Sequence, residues 1–144
     1  MIGIAAIVLG VATFKIQQRQ TRTQQEQAET NALQLRLALF EKRMKVFDST
    51  MDLLAAVGRE AKVELNQLFA LLQNTREHEF LFGPDVGSLI DEIYKRGLEL
   101  RTRQRVRTDE DDSIAKETEL LIWFVGQMTE ARRIFLPYID FRKP

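Results

Sequence analysis

The spacing of apolar side chains predicts a long amphipathic helix in the first half of the chain. Large apolar residues recur at alternating intervals of four and three, which keeps them on one face of a helix. We call the following positions the heptad seam: Leu33, Leu37, Phe40, Met44, Phe47, Met51 and Leu54. The same spacing continues through Leu72, interrupted only by Gly58 and Ala61, so the pattern predicts one helix over about residues 32–75, roughly 60 Å long. The two small residues indicate either a close approach of a neighbouring backbone or a bend at Gly58.

Two later segments also keep helical spacing. Pro84 and Asp85 are typical of a helix start, because proline is tolerated at the first helical position and an acid is favourable in the first turn. The apolar positions that follow predict helices over about residues 85–105 and 114–136, the second ended by Pro137. We therefore predict an all-α fold in which these two helices form an antiparallel hairpin against the long heptad helix, as a three-helix bundle.

The first residues of the chain are apolar, and the residues after them are polar. No charged side chain occurs from Ile2 to Phe14, whereas residues 17–31 are rich in Gln and Thr. This contrast predicts a transmembrane anchor over residues 1–16, a polar stalk over 17–31 and a helical domain over 32–144. Sixteen residues of helix span roughly 24 Å against a hydrocarbon core of about 30 Å, so the anchor requires local thinning of the bilayer or an upstream start.

Basic residues indicate how such an anchor would be oriented. Lys15, Arg19 and Arg22 follow the apolar run directly, and Glu26 is the first acid, so the positive-inside rule places the C-terminal domain in the cytoplasm. The prediction is a single-pass membrane protein with a cytoplasmic C-terminal domain. A secretory signal, which lacks its basic start here, and a buried or interfacial helix are the alternative interpretations.

The predicted lengths leave part of the heptad helix without a partner. Two returning helices of about 30 Å cover only half of a helix of about 60 Å. An apolar strip left in water favours association. We therefore predict that the heptad seam is an interaction site, and that the partner is a second copy of the chain or another helical protein.

Composition and motifs give no support for an enzyme. The chain has 21 basic and 21 acidic residues, one histidine and no cysteine, which removes disulfides and thiolate zinc sites. His78 lies between two glutamates, but adjacent helical residues point about 100° apart and do not converge on a metal. We find no phosphate loop and no paired nucleophile and base, so we predict no catalytic residues, cofactor or metal.

A run of basic residues is the one candidate for anion binding. It consists of Arg101, Arg103, Arg105 and Arg107, which on a helix would share neighbouring faces. Four consecutive acids follow, and no exposed aromatic residues interleave with the run for base stacking, so we predict no nucleic-acid binding. A solvated charged loop is the simpler interpretation, and an anionic lipid or small ligand is the alternative.

Several short motifs in the domain resemble a family of uncharacterised small bacterial proteins with one N-terminal membrane span and a helical domain. They are Leu39-Phe40-Glu41-Lys42-Arg43, Phe80-Leu81-Phe82-Gly83-Pro84, Trp123-Phe124 and Pro137-Tyr138-Ile139-Asp140-Phe141. The resemblance implies bacterial origin and membrane anchoring, and therefore a location in the bacterial inner membrane, and it carries no assigned activity. The resulting functional prediction is a membrane-anchored helical scaffold that associates through the heptad seam, with a regulatory or sensing module as the alternative.

Overall fold

The computed structural model describes residues 2–106 and 111–142, with side chains from residue 6 onward. Every secondary-structure element in these residues is an α-helix, so the all-α prediction is confirmed. The helices are α1 (Ile2–Glu60), α2 (Leu65–Thr75), α3 (His78–Leu81), α4 (Pro84–Arg105) and α5 (Asp111–Ile139).

The chain divides into two units, and α1 contributes to both. The N-terminal unit is Met1–Ala38, and the C-terminal unit is Leu39–Pro144. The N-terminal unit is helix throughout its described length, and every side chain over residues 6–38 is exposed. The stretch 17–31 that we predicted as a stalk is part of this continuous helix.

The C-terminal unit is a bundle in which successive helices alternate in direction. At one end, Gln104 Nε2 donates to the Ala61 carbonyl at 2.8 Å and to Glu117 Oε1 at 3.0 Å. At the other end, Arg43 donates to the Tyr138 carbonyl at 3.0 Å. α1 and α4 both run from the end at Arg43 to the end at Gln104, so they point the same way. α2 and α5 run in the opposite direction.

A single apolar core fills the C-terminal unit. Four of its side chains have no exposed surface although they come from different helices: Leu54, Leu68, Ile93 and Phe124. Thr50 and Thr75 are buried beside them, and each hydroxyl donates to the carbonyl four residues earlier, at 2.9 and 2.7 Å. A buried hydroxyl that lacked such a bond would cost about 1–3 kcal/mol.

The structure corrects the prediction of one helix over residues 32–75. α1 ends at Glu60, and Ala61 adopts the left-handed backbone conformation, with φ at 53°. Helix resumes after Glu64, which forms a capping box: its backbone amide donates to Gln67 Oε1 at 2.8 Å, and its side chain accepts from the Gln67 backbone amide. The C-terminal unit is therefore built from four long helical segments, not three.

The predicted membrane anchor and inner-membrane localisation are wrong. Among residues 2–106 and 111–142, no helix is long and apolar enough to cross a membrane. The physical reason is the length of the apolar run, because α1 passes into the polar stretch of residues 17–31 before it has covered a bilayer core of about 30 Å.

The final helix also differs from its predicted bounds of 114–136. Asp111 and Asp112 already lie in its first turn, where carboxylates interact favourably with the helix dipole. At the other end, α5 continues through Pro137 to Ile139. Proline lacks an N–H group and therefore leaves one carbonyl of the preceding turn without its helical hydrogen bond, but it does not stop the last turn from forming.

Two helical glycines should respond in opposite ways to replacement by alanine. A Cβ on Gly97 would lie 2.5 Å from Cδ2 of the fully buried Leu68, so overpacking should outweigh the gain in helix propensity and destabilise the fold by about 0.5–2 kcal/mol. A Cβ on Gly126 would meet no described atom within 4 Å, so Gly126→Ala should stabilise by up to about 1 kcal/mol. Urea denaturation of both variants would measure the difference, and equal midpoints would contradict it.

Candidate functional site

The N-terminal unit has an apolar surface that no other part of the described chain covers. Nine large apolar side chains between residues 6 and 38 are exposed to water: Ile7, Val8, Leu9, Val11, Phe14, Ile16, Leu33, Leu35 and Leu37. Single exposed apolar residues are ordinary, but this many on one helix are a feature of association surfaces.

The heptad register of the seam extends back through the N-terminal unit. Counting in steps of three and four from Leu33 and Leu37 places Leu9, Ala12 and Ile16 on the same helical face. The four intervening seam positions are polar: Arg19, Thr23, Glu26 and Thr30. The face thus has two apolar patches, residues 9–16 and 33–37, separated by a polar centre.

The later part of the heptad seam serves the core of the C-terminal unit. Leu54 is fully buried, and Phe47 packs edge-to-face on Phe135 with ring centroids 5.3 Å apart. Phe40 makes a similar contact with Phe141 at 5.5 Å. Substitution of these positions would therefore disturb the bundle itself. Leu33 and Leu37, by contrast, are 55% and 46% exposed and remain available to a partner.

Arg43 holds one end of the C-terminal unit together. Its Nε donates to the Leu81 carbonyl at 2.9 Å and its Nη1 to the Tyr138 carbonyl at 3.0 Å, so it caps the ends of α3 and α5. The guanidinium carbon also lies 5.9 Å from the centre of the Phe82 ring. A cation is favourable at a helix C-terminus, and these bonds satisfy carbonyls that have no partner within the helix.

A tyrosine and an aspartate reinforce the same end. The Tyr138 hydroxyl donates to Asp85 Oδ1 at 2.8 Å, which links the last turn of α5 to the first turn of α4. This hydrogen bond to the carboxylate raises the pKa of Tyr138 above its ordinary value. A Cβ on Gly83 would collide with the Tyr138 hydroxyl, so the close approach requires glycine at that position.

The three described members of the arginine run, Arg101, Arg103 and Arg105, do not converge on a site. Arg103 donates from Nε and Nη2 to Glu99 Oε1, both at 3.1 Å, one turn earlier on α4. Arg101 is half-buried, Arg105 is exposed, and Arg107 lies outside the described residues. Arg103 and Arg105 occupy the last turn of α4, where basic side chains stabilise the helix end, so a structural role accounts for both.

Two open clefts lie on the surface of the C-terminal unit near α3. One, of about 310 Å³ between α1 and α2, has Lys42, Lys45 and Arg76 in its walls, with Glu77 opposite Lys42 at 3.9 Å. The other, of about 590 Å³, includes His78. The polar side chains that line the two clefts are largely solvent-exposed. Among residues 2–106 and 111–142, no three carboxylate or imidazole groups come together to hold a metal.

Two residues with structural roles could not have been selected from the sequence. Arg43 looks like an ordinary flanking charge of a heptad helix, and Gln104 lies within a run of charged residues. Both make bonds to residues distant in the chain: Arg43 to Tyr138, and Gln104 to Ala61. Only the folded arrangement reveals these contacts, since no local pattern encodes them.

Comparison with protein-family models, with curated proteins and with solved structures finds no match to this chain. The resemblance noted from the short motifs therefore stays a prediction, and function has to be argued from the surfaces described above.

Proposed function

We propose that this protein is a helical scaffold that self-associates through the exposed apolar face of α1 in its N-terminal unit. The observation that carries the proposal is the exposure of residues 6–38, in which Leu9, Ile16, Leu33 and Leu37 lie on the seam face and are each at least 46% exposed. The hydrophobic effect favours covering such a surface, and a helix with heptad spacing is covered most simply by another helix.

The seam face supplies the apolar centre of such an interface. Burying one large apolar side chain removes roughly 60–120 Å² from water, so Leu9, Ile16, Leu33 and Leu37 together amount to roughly 240–480 Å² per copy. Each partner in a specific protein interface buries about 800 Å², so the polar seam positions and their neighbours have to supply the rest. Because the formal net charge of the chain is zero, no overall repulsion opposes the approach of a second copy.

Polar substitutions at the exposed part of the heptad seam should dissociate the protein. Light scattering of the unaltered chain should give at least twice the monomer mass of 16.7 kDa, whereas Leu33→Gln combined with Leu37→Gln should give the monomer mass. Both side chains lie outside the core of the C-terminal unit, so the substitutions remove association without unfolding the bundle.

Leu35→Gln is the matched control for this experiment. Leu35 is the most exposed of the three leucines, at 72%, but it points to the opposite side of α1 from the heptad seam. The control should therefore keep the associated mass. A monomer mass for the unaltered chain across the micromolar range would overturn self-association.

Binding of a small anionic ligand has weaker support. Arg103 forms a helical ion pair, and Arg103 and Arg105 lie in the last turn of α4. The cleft that contains Lys42 and Lys45 is open with exposed walls. Surface cations of this kind usually remain solvated. We therefore place association before ligand recognition.

A further inference from the structure

We infer that two copies pair antiparallel along α1, with Ile16 of one copy facing Leu33 of the other. The inference rests on the proposed self-association and adds its orientation and register. It follows from the order of apolar and polar positions on the exposed seam face of residues 9–37.

The parallel arrangement is disfavoured by two charged seam positions. In a parallel, in-register pair every seam residue faces its own copy, so Arg19 would meet Arg19 and Glu26 would meet Glu26 at the centre of the contact. Like charges placed directly opposite one another at an interface oppose pairing, and here both pairs would be partly removed from water. The apolar patches on either side would not relieve either repulsion.

The antiparallel arrangement removes both like-charge contacts. With Ile16 facing Leu33 of the second copy, Ala12 faces Leu37, so residues 12–16 of each copy cover residues 33–37 of the other. In the polar centre, Thr23 then faces Glu26, and Arg19 faces Thr30. These polar positions can hydrogen-bond or remain hydrated, and the two apolar patches are buried at both ends of the overlap.

Charges beside the seam do not decide between the two orientations. In the antiparallel register, Arg22 lies next to Glu29 of the second copy, while Lys15 lies next to Arg36, so one favourable and one unfavourable pair offset each other. In the parallel register, Lys15, Arg22 and Glu29 all face glutamines. The seam positions themselves therefore set the preference.

The absence of cysteine from the sequence allows a direct test by disulfide trapping. In the antiparallel pair, two copies of residue 16 are separated by seventeen residues of helix, roughly 25 Å, far beyond the reach of a disulfide. Ile16→Cys alone should therefore stay uncrosslinked. An equal mixture of the Ile16→Cys chain with a size-tagged Leu33→Cys chain should form a mixed disulfide on mild oxidation.

The matched control is a mixture of Ile16→Cys with Leu35→Cys, because residue 35 lies on the opposite side of the helix. The Ile16/Leu33 mixture should crosslink at least about tenfold faster than this control, since only facing residues gain a high effective concentration. The rates can be followed by gel electrophoresis without reductant, on the same samples used for light scattering.

The outcomes separate the orientation from association itself. Rapid crosslinking of Ile16→Cys with its own copy would show a parallel pair and overturn the inference, while leaving self-association intact. An associated mass with no selective crosslink would overturn the register alone. A monomer mass would overturn the proposed function as well.

Discussion

Phe135→Ala should destabilise the C-terminal unit by about 3–5 kcal/mol, the range for truncation of a fully buried aromatic side chain. Phe135 has no exposed surface, and its ring makes edge-to-face contacts with Phe47 at 5.3 Å and Phe82 at 5.1 Å. The substitution leaves a cavity where three segments of the bundle meet, and it removes both aromatic contacts.

The neighbouring residue provides the control for this cavity. Leu136 follows Phe135 on α5 but is 59% exposed, so Leu136→Ala should change the free energy of unfolding by less than about 0.5 kcal/mol. Urea denaturation followed by fluorescence of Trp123, which packs against the core, reports on the C-terminal unit directly. A cost below about 1 kcal/mol for Phe135→Ala would show that this part of the core is loosely packed.

Arg43→Met should destabilise the same unit by about 2–3 kcal/mol, because the Leu81 and Tyr138 carbonyls each lose a charged hydrogen-bond donor. Methionine preserves much of the side-chain length and its packing against Phe82. The loss of stability therefore measures mainly the two hydrogen bonds. The partial exposure of Arg43 keeps the expected cost below that of a fully buried pair.

A conservative variant separates the charge of Arg43 from its shape. Arg43→Lys keeps a cation at the two helix ends, but a single ammonium cannot reproduce the planar fork that reaches both carbonyls. We expect an intermediate cost of about 1–2 kcal/mol in thermal or urea unfolding. Lys45→Met, on an exposed position of the same helix, should cost little. Equal stability of the Arg43→Met and Lys45→Met variants would exclude the capping role.

Helical periodicity was sufficient to predict the fold class but could not show where α1 ends. Apolar residues at intervals of three and four share one helical face in a single long helix and also in two helices that fold back on each other. Leu65, Leu68 and Leu72 therefore fit either arrangement. The break at Ala61 contains neither glycine nor proline. Its local signals are Gly58, three residues earlier, and the Glu64 and Gln67 pair, which differs from the usual Ser or Thr capping box.

The membrane prediction gave too much weight to the residues that flank the apolar run. Basic residues after an apolar segment set the orientation of a span only when the segment is long enough to be one. Residues 9–16 of this apolar run lie on a helix that continues through a polar segment. There they supply one of the two apolar patches of the proposed association surface. Their arrangement relative to Arg19 and Glu26 then becomes the informative feature.

The alternating order of the helices also has a consequence for how the bundle folds. Its connections are short, and most packing joins helices that are neighbours in the chain, which is the arrangement associated with rapid folding. The Arg43 to Tyr138 bond spans 95 residues and, like the Phe47 to Phe135 ring contact, requires the first and last helices to meet. Closing so long a loop carries a large entropic cost, so we expect this contact to form after the folding barrier. In a chevron plot, Arg43→Met should therefore accelerate unfolding and leave the folding rate nearly unchanged.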